Sequence, residues 1–199
     1  MIIYYNEYVN DYNEYVNDAK ASKHRYFIGR LTFVNGDVYE GSVKDDKYHG
    51  YGTLLYANGN VYEGTFEDDK KHGLGKEAYA NGDVYEGEFE DSEKHGQGKY
   101  TWANSHNYVG GWKDGRFHGQ GKLTCASGNY EGSWKDGKVF GQGKFTYATG
   151  DVYEGGWKDF KKDGFFRHGF GKMIYANGTV FEGFWKDDER SDQGTLMDA

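Results

Sequence analysis

The sequence predicts an all-β fold: an elongated single-layer antiparallel β-sheet solenoid of tandem hairpin repeats, preceded by a short N-terminal arm or helix. Three observations predict it. The tripeptide Tyr-Glu-Gly begins at Tyr39, Tyr62, Tyr85, Tyr130 and Tyr153, with Tyr-Val-Gly at Tyr108 and Phe-Glu-Gly at Phe181, in steps of 23, 23, 23, 22, 23 and 28 residues. Asn-Gly, the strongest short hairpin signal, recurs between strand-like runs at Asn35, Asn58, Asn81 and Asn177, with Ser127-Gly128 and Thr149-Gly150 in the same slot. Composition is the third: 199 residues include 32 Gly and no Pro, and the apolar share rests on 19 Tyr, 13 Phe and 5 Trp. Rings stacked along a thin structure suit those numbers better than a thick core does.

Residues 1–25 precede the repeats and contain a duplication, Tyr5 to Asp11 repeated as Tyr12 to Asp18. Tyr5, Tyr8, Val9, Tyr12, Tyr15 and Val16 form one helical stripe, so a short amphipathic helix or an extended arm covering the first edge strand is expected. The start lacks the basic and apolar regions of a signal peptide, and no segment reaches the ~20 apolar residues of a membrane span. Residues 26–38 match the back half of a unit. Full units then start at residues 39, 62, 85, 108, 130, 153 and 181, and the last decays into Ser191-Asp192-Gln193-Gly194, a polar terminal cap.

Within a unit, Val61 to Phe66 reads as a strand, Glu67 to Lys71 as a charged loop and Gly73 to Tyr79 as a second strand. Alternation turns Tyr62, Gly64 and Phe66 to one face and Val61, Glu63 and Thr65 to the other. With Asn58-Gly59 as a type I′ turn, Tyr56 falls opposite Val61 and Leu54 opposite Glu63, giving the second face its own apolar column. Stacked repeats then form a trough from Tyr62, Tyr85, Tyr108, Tyr130 and Tyr153 beside Phe66, Phe89, Trp112, Trp134 and Trp157, notched by glycines such as Gly64. Such a trough suits an extended or helical peptide.

The formal charge of −8 opposes nucleic acid and anionic membranes. Cys125, the only cysteine, permits no disulfide within the chain, and a reducing, cytoplasmic setting follows as the expectation. His49, His72, His95, His118 and His168 recur too far apart to converge on one metal ion and are expected to cap hairpins. Glu40, Glu63, Glu86, Glu131, Glu154 and Glu182 are spaced too widely for a retaining glycosidase and are expected to pair with a neighbouring lysine or with backbone. Three Gly-Gln-Gly-Lys runs, ending at Lys99, Lys122 and Lys144, lack the full phosphate-loop spacing and open no helix; these lysines are expected to offset the glutamates. No cofactor and no metal are expected.

These residues resemble the MORN repeat (membrane occupation and recognition nexus), whose pattern is Tyr-Glu-Gly-x-Trp/Phe, a short charged loop, His-Gly-x-Gly and a closing x-Gly-x. The resemblance covers about residues 26–194. It implies a scaffold or adaptor that is not an enzyme, associated with cytoskeleton, membrane or a larger assembly, rather than a particular partner. Val109 in place of Glu, Phe140 in place of His and an enlarged sixth loop depart from the pattern and mark where specificity is expected. That loop, Lys158 to Arg167, sets Phe160, Phe165 and Phe166 among Lys161, Lys162 and Arg167, either as an anchor for a partner or anionic lipid or as rings folded onto the neighbouring repeat. The reading is a protein partner held in the aromatic trough, with a homodimer or larger assembly compatible and membrane contact secondary.

Overall fold

The computed structural model describes the backbone of residues 3–4, 26–161 and 164–198, and the side chains of 26–158 and 166–198. The expected arm at 1–25 lies outside the described residues apart from the backbone of Ile3 and Tyr4. The chain forms two units, Met1–Lys94 and His95–Ala199. The first holds β1 (Ile3–Tyr4), β2 (Tyr26–Thr32), β3 (Val38–Lys44), β4 (Lys47–Leu55), β5 (Val61–Glu67), β6 (Lys70–Ala78) and β7 (Val84–Glu90). Strand β8 (Glu93–Thr101) carries the chain into the second, with β9 (Asn107–Lys113), β10 (Arg116–Cys125), β11 (Gly128–Lys135), β12 (Lys138–Tyr147), β13 (Val152–Lys161), β14 (Gly164–Ile174), β15 (Val180–Lys186) and β16 (Glu189–Met197). In each unit successive strands pair antiparallel with their chain neighbours, and no helix occurs among the described residues.

The two turn types sit the other way round from the expectation. The charged segments are the tight turns: Asp68 and Asp69 have φ of 48° and 68°, both positive as a type I′ turn requires, and Glu67 pairs directly with Lys70. The Asn-Gly segments are longer loops in which only the glycine has positive φ, 88° at Gly59. There Gly59 N–H donates to the Tyr56 carbonyl at 2.9 Å, and Asn58 Oδ1 accepts from Asn60 N–H at 2.9 Å. Asparagine therefore serves through its short side chain, as an Asx turn, rather than through left-handed backbone.

This change of loop moves the register by one residue. Leu54 lies opposite Tyr62, Leu55 opposite Val61 and Thr53 opposite Glu63, so the expected pairing of Leu54 with Glu63 does not occur. A one-residue slip exchanges faces. Leu31, Leu54, Phe145 and Met173 consequently join the tyrosines on one face, where all are buried. The opposite face carries the Glu and Lys rungs. The enlarged sixth segment is likewise no open loop along its described backbone: β13 and β14 extend the hairpin, pairing Lys158 with Phe166 and Lys161 with Gly164.

The core of each unit is this aromatic face. Tyr39, Tyr62, Tyr85, Tyr108, Tyr130 and Tyr153 have no exposed surface. The notches expected beside them are filled by the tyrosine rings themselves. A Cβ added at Gly64 would lie 2.6 Å from Gly75 Cα, and one at Gly75 would run into the Tyr62 ring, so neither position admits a side chain. Each hydroxyl reaches across its own strand to a carbonyl, Tyr62 to Thr65 at 2.9 Å and Tyr108 to Gly111 at 2.9 Å, which satisfies a polar group that burial would otherwise strand.

Candidate functional site

The expected trough residues are brought together as two interleaved columns. Tyr62 stands edge-on between Phe66 and Phe89, with both centroids at 5.0 Å. In the second unit Tyr108 stands between Trp112 and Trp134 at 5.5 and 5.3 Å, and Tyr130 between Trp134 and Trp157 at 5.4 Å each. Edge-to-face geometry adds about 0.5–1.5 kcal/mol per pair beyond area burial. Indole N–H groups of Trp112, Trp134 and Trp157 donate to the carbonyls of Gly98, Gly121 and Gly143. These columns are sealed: Phe66, Phe89, Trp112, Trp134 and Trp157 are all buried. Burial also raises the tyrosine pKa values, that of Tyr153 to about 12.

What the aromatic face offers to solvent is a second tier of half-buried rings: Phe33, Tyr56, Tyr79, Trp102, Tyr147 and Tyr175, one per repeat at the start of each Asn-Gly-type loop. Trp102 packs on Tyr100 and Phe117 at 5.0 and 6.1 Å, and Tyr147 on Phe145 at 4.6 Å. A two-residue turn at Asn58-Gly59 would put Tyr56 on the other face; the observed register brings it to this one. The signal was present as a ring two residues before each Asn-Gly.

The fourth repeat breaks this tier. Its step is 22 residues rather than 23, and Cys125 stands where the others carry a ring. Cys125 pairs with Gly128 across a two-residue loop, and the missing ring leaves a hollow of about 350 Å³. Trp102, Phe117, Leu123 and Trp134 wall it, and Asn104 and His106 supply a polar rim. Its size suits one large apolar side chain.

The first unit holds a charged exception within the aromatic face. Lys71 and Glu77 occupy positions that Tyr48 and Leu54 hold one repeat earlier; both are buried and form an ion pair with each other. Lys71 Nζ lies 4.9 Å from the centroid of Tyr62 and 5.2 Å from that of Tyr56, and Tyr79 donates to Glu77 at 2.5 Å. Desolvation lowers the pKa of neighbouring Lys94, whose ammonium lies over Tyr79 and Tyr85.

The histidines sit beside the tight turns of the following hairpins. His95 and His118 Nδ1 are each 3.8 Å from a carboxylate oxygen, of Asp114 and Asp136, and His168 is 3.6 Å from Asp187. Among the described residues no group of His, Cys, Asp or Glu has the arrangement of a metal site. On the opposite face Lys122 and Lys144 pair with Glu131 and Glu154 at 2.6 and 2.8 Å, as the repeat pattern suggested. Of the anticipated loop anchor, the side chains of Phe160, Lys161, Lys162 and Phe165 lie outside the described residues. Phe166 is half-buried. Arg167 is engaged in the sheet, donating to Asp188 at 3.0 Å and lying 4.3 Å above the Trp185 ring.

Comparison with curated proteins gives no match. Among solved structures, the TCP domain of SAS-4 (dCPAP) of Drosophila melanogaster, in complex with a proline-rich motif of Ana2 (dSTIL), is 12% identical, covering 87% of this chain and 90% of that one at a TM-score of 0.43. The wild-type TCP10 domain of Danio rerio CPAP is 14% identical over 85% of this chain and 86% of that one, also at 0.43. A streptogramin B lyase is 10% identical over 100% and 72%, at 0.22. At such identities and scores none of the three bears on what this chain binds. The family comparison is of a different kind: the MORN repeat matches residues 39–61, 62–84, 85–106, 108–129, 130–152 and 166–180. Those matches cover well over half of the sequence and fall on hairpins that repeat one phenol-over-glycine packing, and the chain belongs to the MORN repeat family.

Proposed function

We propose that the chain is a non-catalytic, protein-binding scaffold or adaptor, cytoplasmic and associated with cytoskeletal or membrane-bound assemblies. Its partner segment lies along the aromatic face. The columns of Tyr62, Phe66, Tyr85 and Phe89, and of Tyr108, Trp112, Tyr130, Trp134, Tyr153 and Trp157, form the rigid floor in their respective units. The second tier makes the contact. The observation that carries the reading is the hollow at Cys125, a ring-walled vacancy where the repeat pattern supplies a ring. An apolar side chain from a partner restores there what the repeat omits, and well-packed aromatic pockets of this kind dominate binding energy.

The test is affinity capture from the native cell with the wild-type chain and with Cys125→Tyr, identifying bound proteins by mass spectrometry. Filling the hollow restores the tier and leaves every floor residue in the sequence unchanged, so the reading expects a partner recovered by the wild type and lost from a Cys125→Tyr chain with unchanged circular dichroism. Equal recovery from both would remove the hollow as the anchor site.

A further inference from the structure

The face opposite the tyrosines carries a ladder of charges at the centres of its strands. In the second unit the rungs run Lys99, Val109, Lys122, Glu131, Lys144, Glu154, Lys172 and Glu182, each opposite the next in register. Opposite charges on adjacent strands attract, and like charges repel. The order is alternating everywhere except at Val109, an exposed apolar residue set between two lysines. Lys122 turns to Glu131, whereas Lys99 takes part in no ion pair among the described residues. This row therefore has one lysine in excess, in a chain whose net charge is −8.

The same face of the same unit holds a second feature. A shallow hollow of about 620 Å³ opens over glycine backbone, bordered by Gln120, Gln142, Lys144, Glu154 and Phe170. Phe170 and Phe184 form an exposed edge-to-face pair at 5.4 Å, 51% and 54% accessible. Large rings left this open, on a sheet face that also carries a lysine outside any ion pair among the described residues, are features of a contact surface.

We propose that this face of the second unit is a separate docking surface for an acidic, aromatic-anchored polypeptide segment. A carboxylate of the partner fills the rung that Val109 leaves vacant, accepting hydrogen bonds from Lys99, and an aromatic or large aliphatic side chain enters the hollow over Gly143 and Gly155. The spacing follows from the sheet. From β9 to the glycines of β12 and β13 there are three to four strand spacings, roughly 14–19 Å, which an extended chain crosses in about five residues. Charge complementarity selects the occupant: a basic segment meets two flanking lysines at Val109, whereas an acidic one completes the alternation. Because the pairing is solvent-exposed, it supplies selectivity and weakens with salt, and the apolar anchor supplies most of the affinity.

The experiment is selection of displayed random twelve-residue peptides on the full-length chain. The proposal expects enriched peptides with an Asp or Glu about five residues from an aromatic or large aliphatic residue. Their affinity falls about fivefold or more on Val109→Glu, which installs a repelling carboxylate at a single exposed rung, and by a similar factor when the peptide's acid becomes an amide. Val109→Glu restores the repeat pattern, so its thermal unfolding is expected to be no lower than wild type. Cys125→Tyr, on the other face, leaves this binding unchanged. Enriched peptides without an acid, binding indifferent to Val109→Glu, or no enrichment at all would overturn the proposal. Peptides lost with Cys125→Tyr alone would assign the contact to the aromatic face instead, overturning this inference while supporting the other.

Discussion

The tyrosine of each Tyr-Glu-Gly carries most of the fold's specificity, because one side chain does three things. Its ring occupies the space above a glycine pair, its edge meets two neighbouring rings, and its hydroxyl finds a carbonyl three residues on. Tyr62→Phe keeps the first two and loses the third, so a cost of about 1 kcal/mol in chemical denaturation is expected. The phenols also couple stability to alkali. Burial holds the neutral form and raises the folded pKa above the unfolded value of ~10, so their contribution is complete below pH ~10 and is lost as pH climbs toward the folded value. Ultraviolet phenolate titration is therefore expected to show a group of tyrosines ionising only well above the ordinary phenol range, together with unfolding. The pair Lys71 and Glu77 behaves differently. Glu77→Leu alone leaves a buried ammonium without its counter-ion and is expected to cost about 3–5 kcal/mol, whereas Lys71→Tyr with Glu77→Leu, the residues of the preceding repeat, is expected to be neutral or stabilising. The tyrosine column was legible in the sequence because it recurs in register. The half-buried tier was not, because its position depends on a loop type that the Asn-Gly pair alone does not disclose.

At the scale of the hairpin, that turn is the instructive case. Asn-Gly between two strands reads as type I′, yet here asparagine accepts its own Asx hydrogen bond and only glycine goes left-handed, which lengthens the loop and moves the register by one residue. The paired positive-φ turns fall instead on the charged segments, and at Asp45-Asp46, Asp68-Asp69, Asp91-Ser92 and Asp187-Asp188 both residues carry a side chain. Their aspartates are held by the adjoining hairpin: Asp69 accepts from Tyr48 N–H at 2.7 Å and Asp188 from Arg167 N–H at 2.8 Å. This bond from one repeat to the next offsets the backbone strain and is invisible to any reading confined to one hairpin. Asp69→Gly relieves the φ strain and forfeits the bond, and Asp69→Ala forfeits the bond while keeping the strain. Asp69→Ala is thus expected to be the less stable of the two by roughly 1 kcal/mol in thermal or denaturant unfolding.

For the whole chain, repetition fixes the fold and the departures from repetition carry the individuality. Family membership and strand order were legible because every repeat restates them. The candidate contact sites were legible only as irregularities: Val109 stood out as a broken motif, whereas Cys125 stood out only as a lone thiol, because a single shortened step matters only once the ring it displaces is seen to recur in the other repeats. Neither the size of the hollow nor the lack of an ion pair at Lys99 among the described residues follows from spacing, since both depend on which face each strand position reaches. In the proposed function the tyrosine columns are a sealed floor and partners are held by the tier above it. Hydroxyl-radical footprinting, read by mass spectrometry on the free chain and on the captured complex, separates floor from tier. The account predicts that Tyr62, Tyr108 and Tyr130 are unreactive in both states while Trp102, Cys125 and Phe117 react in the free chain and become protected on binding. Reactive column tyrosines in a folded free chain, or a complex in which the residues around Cys125 stay as reactive as before, would contradict it.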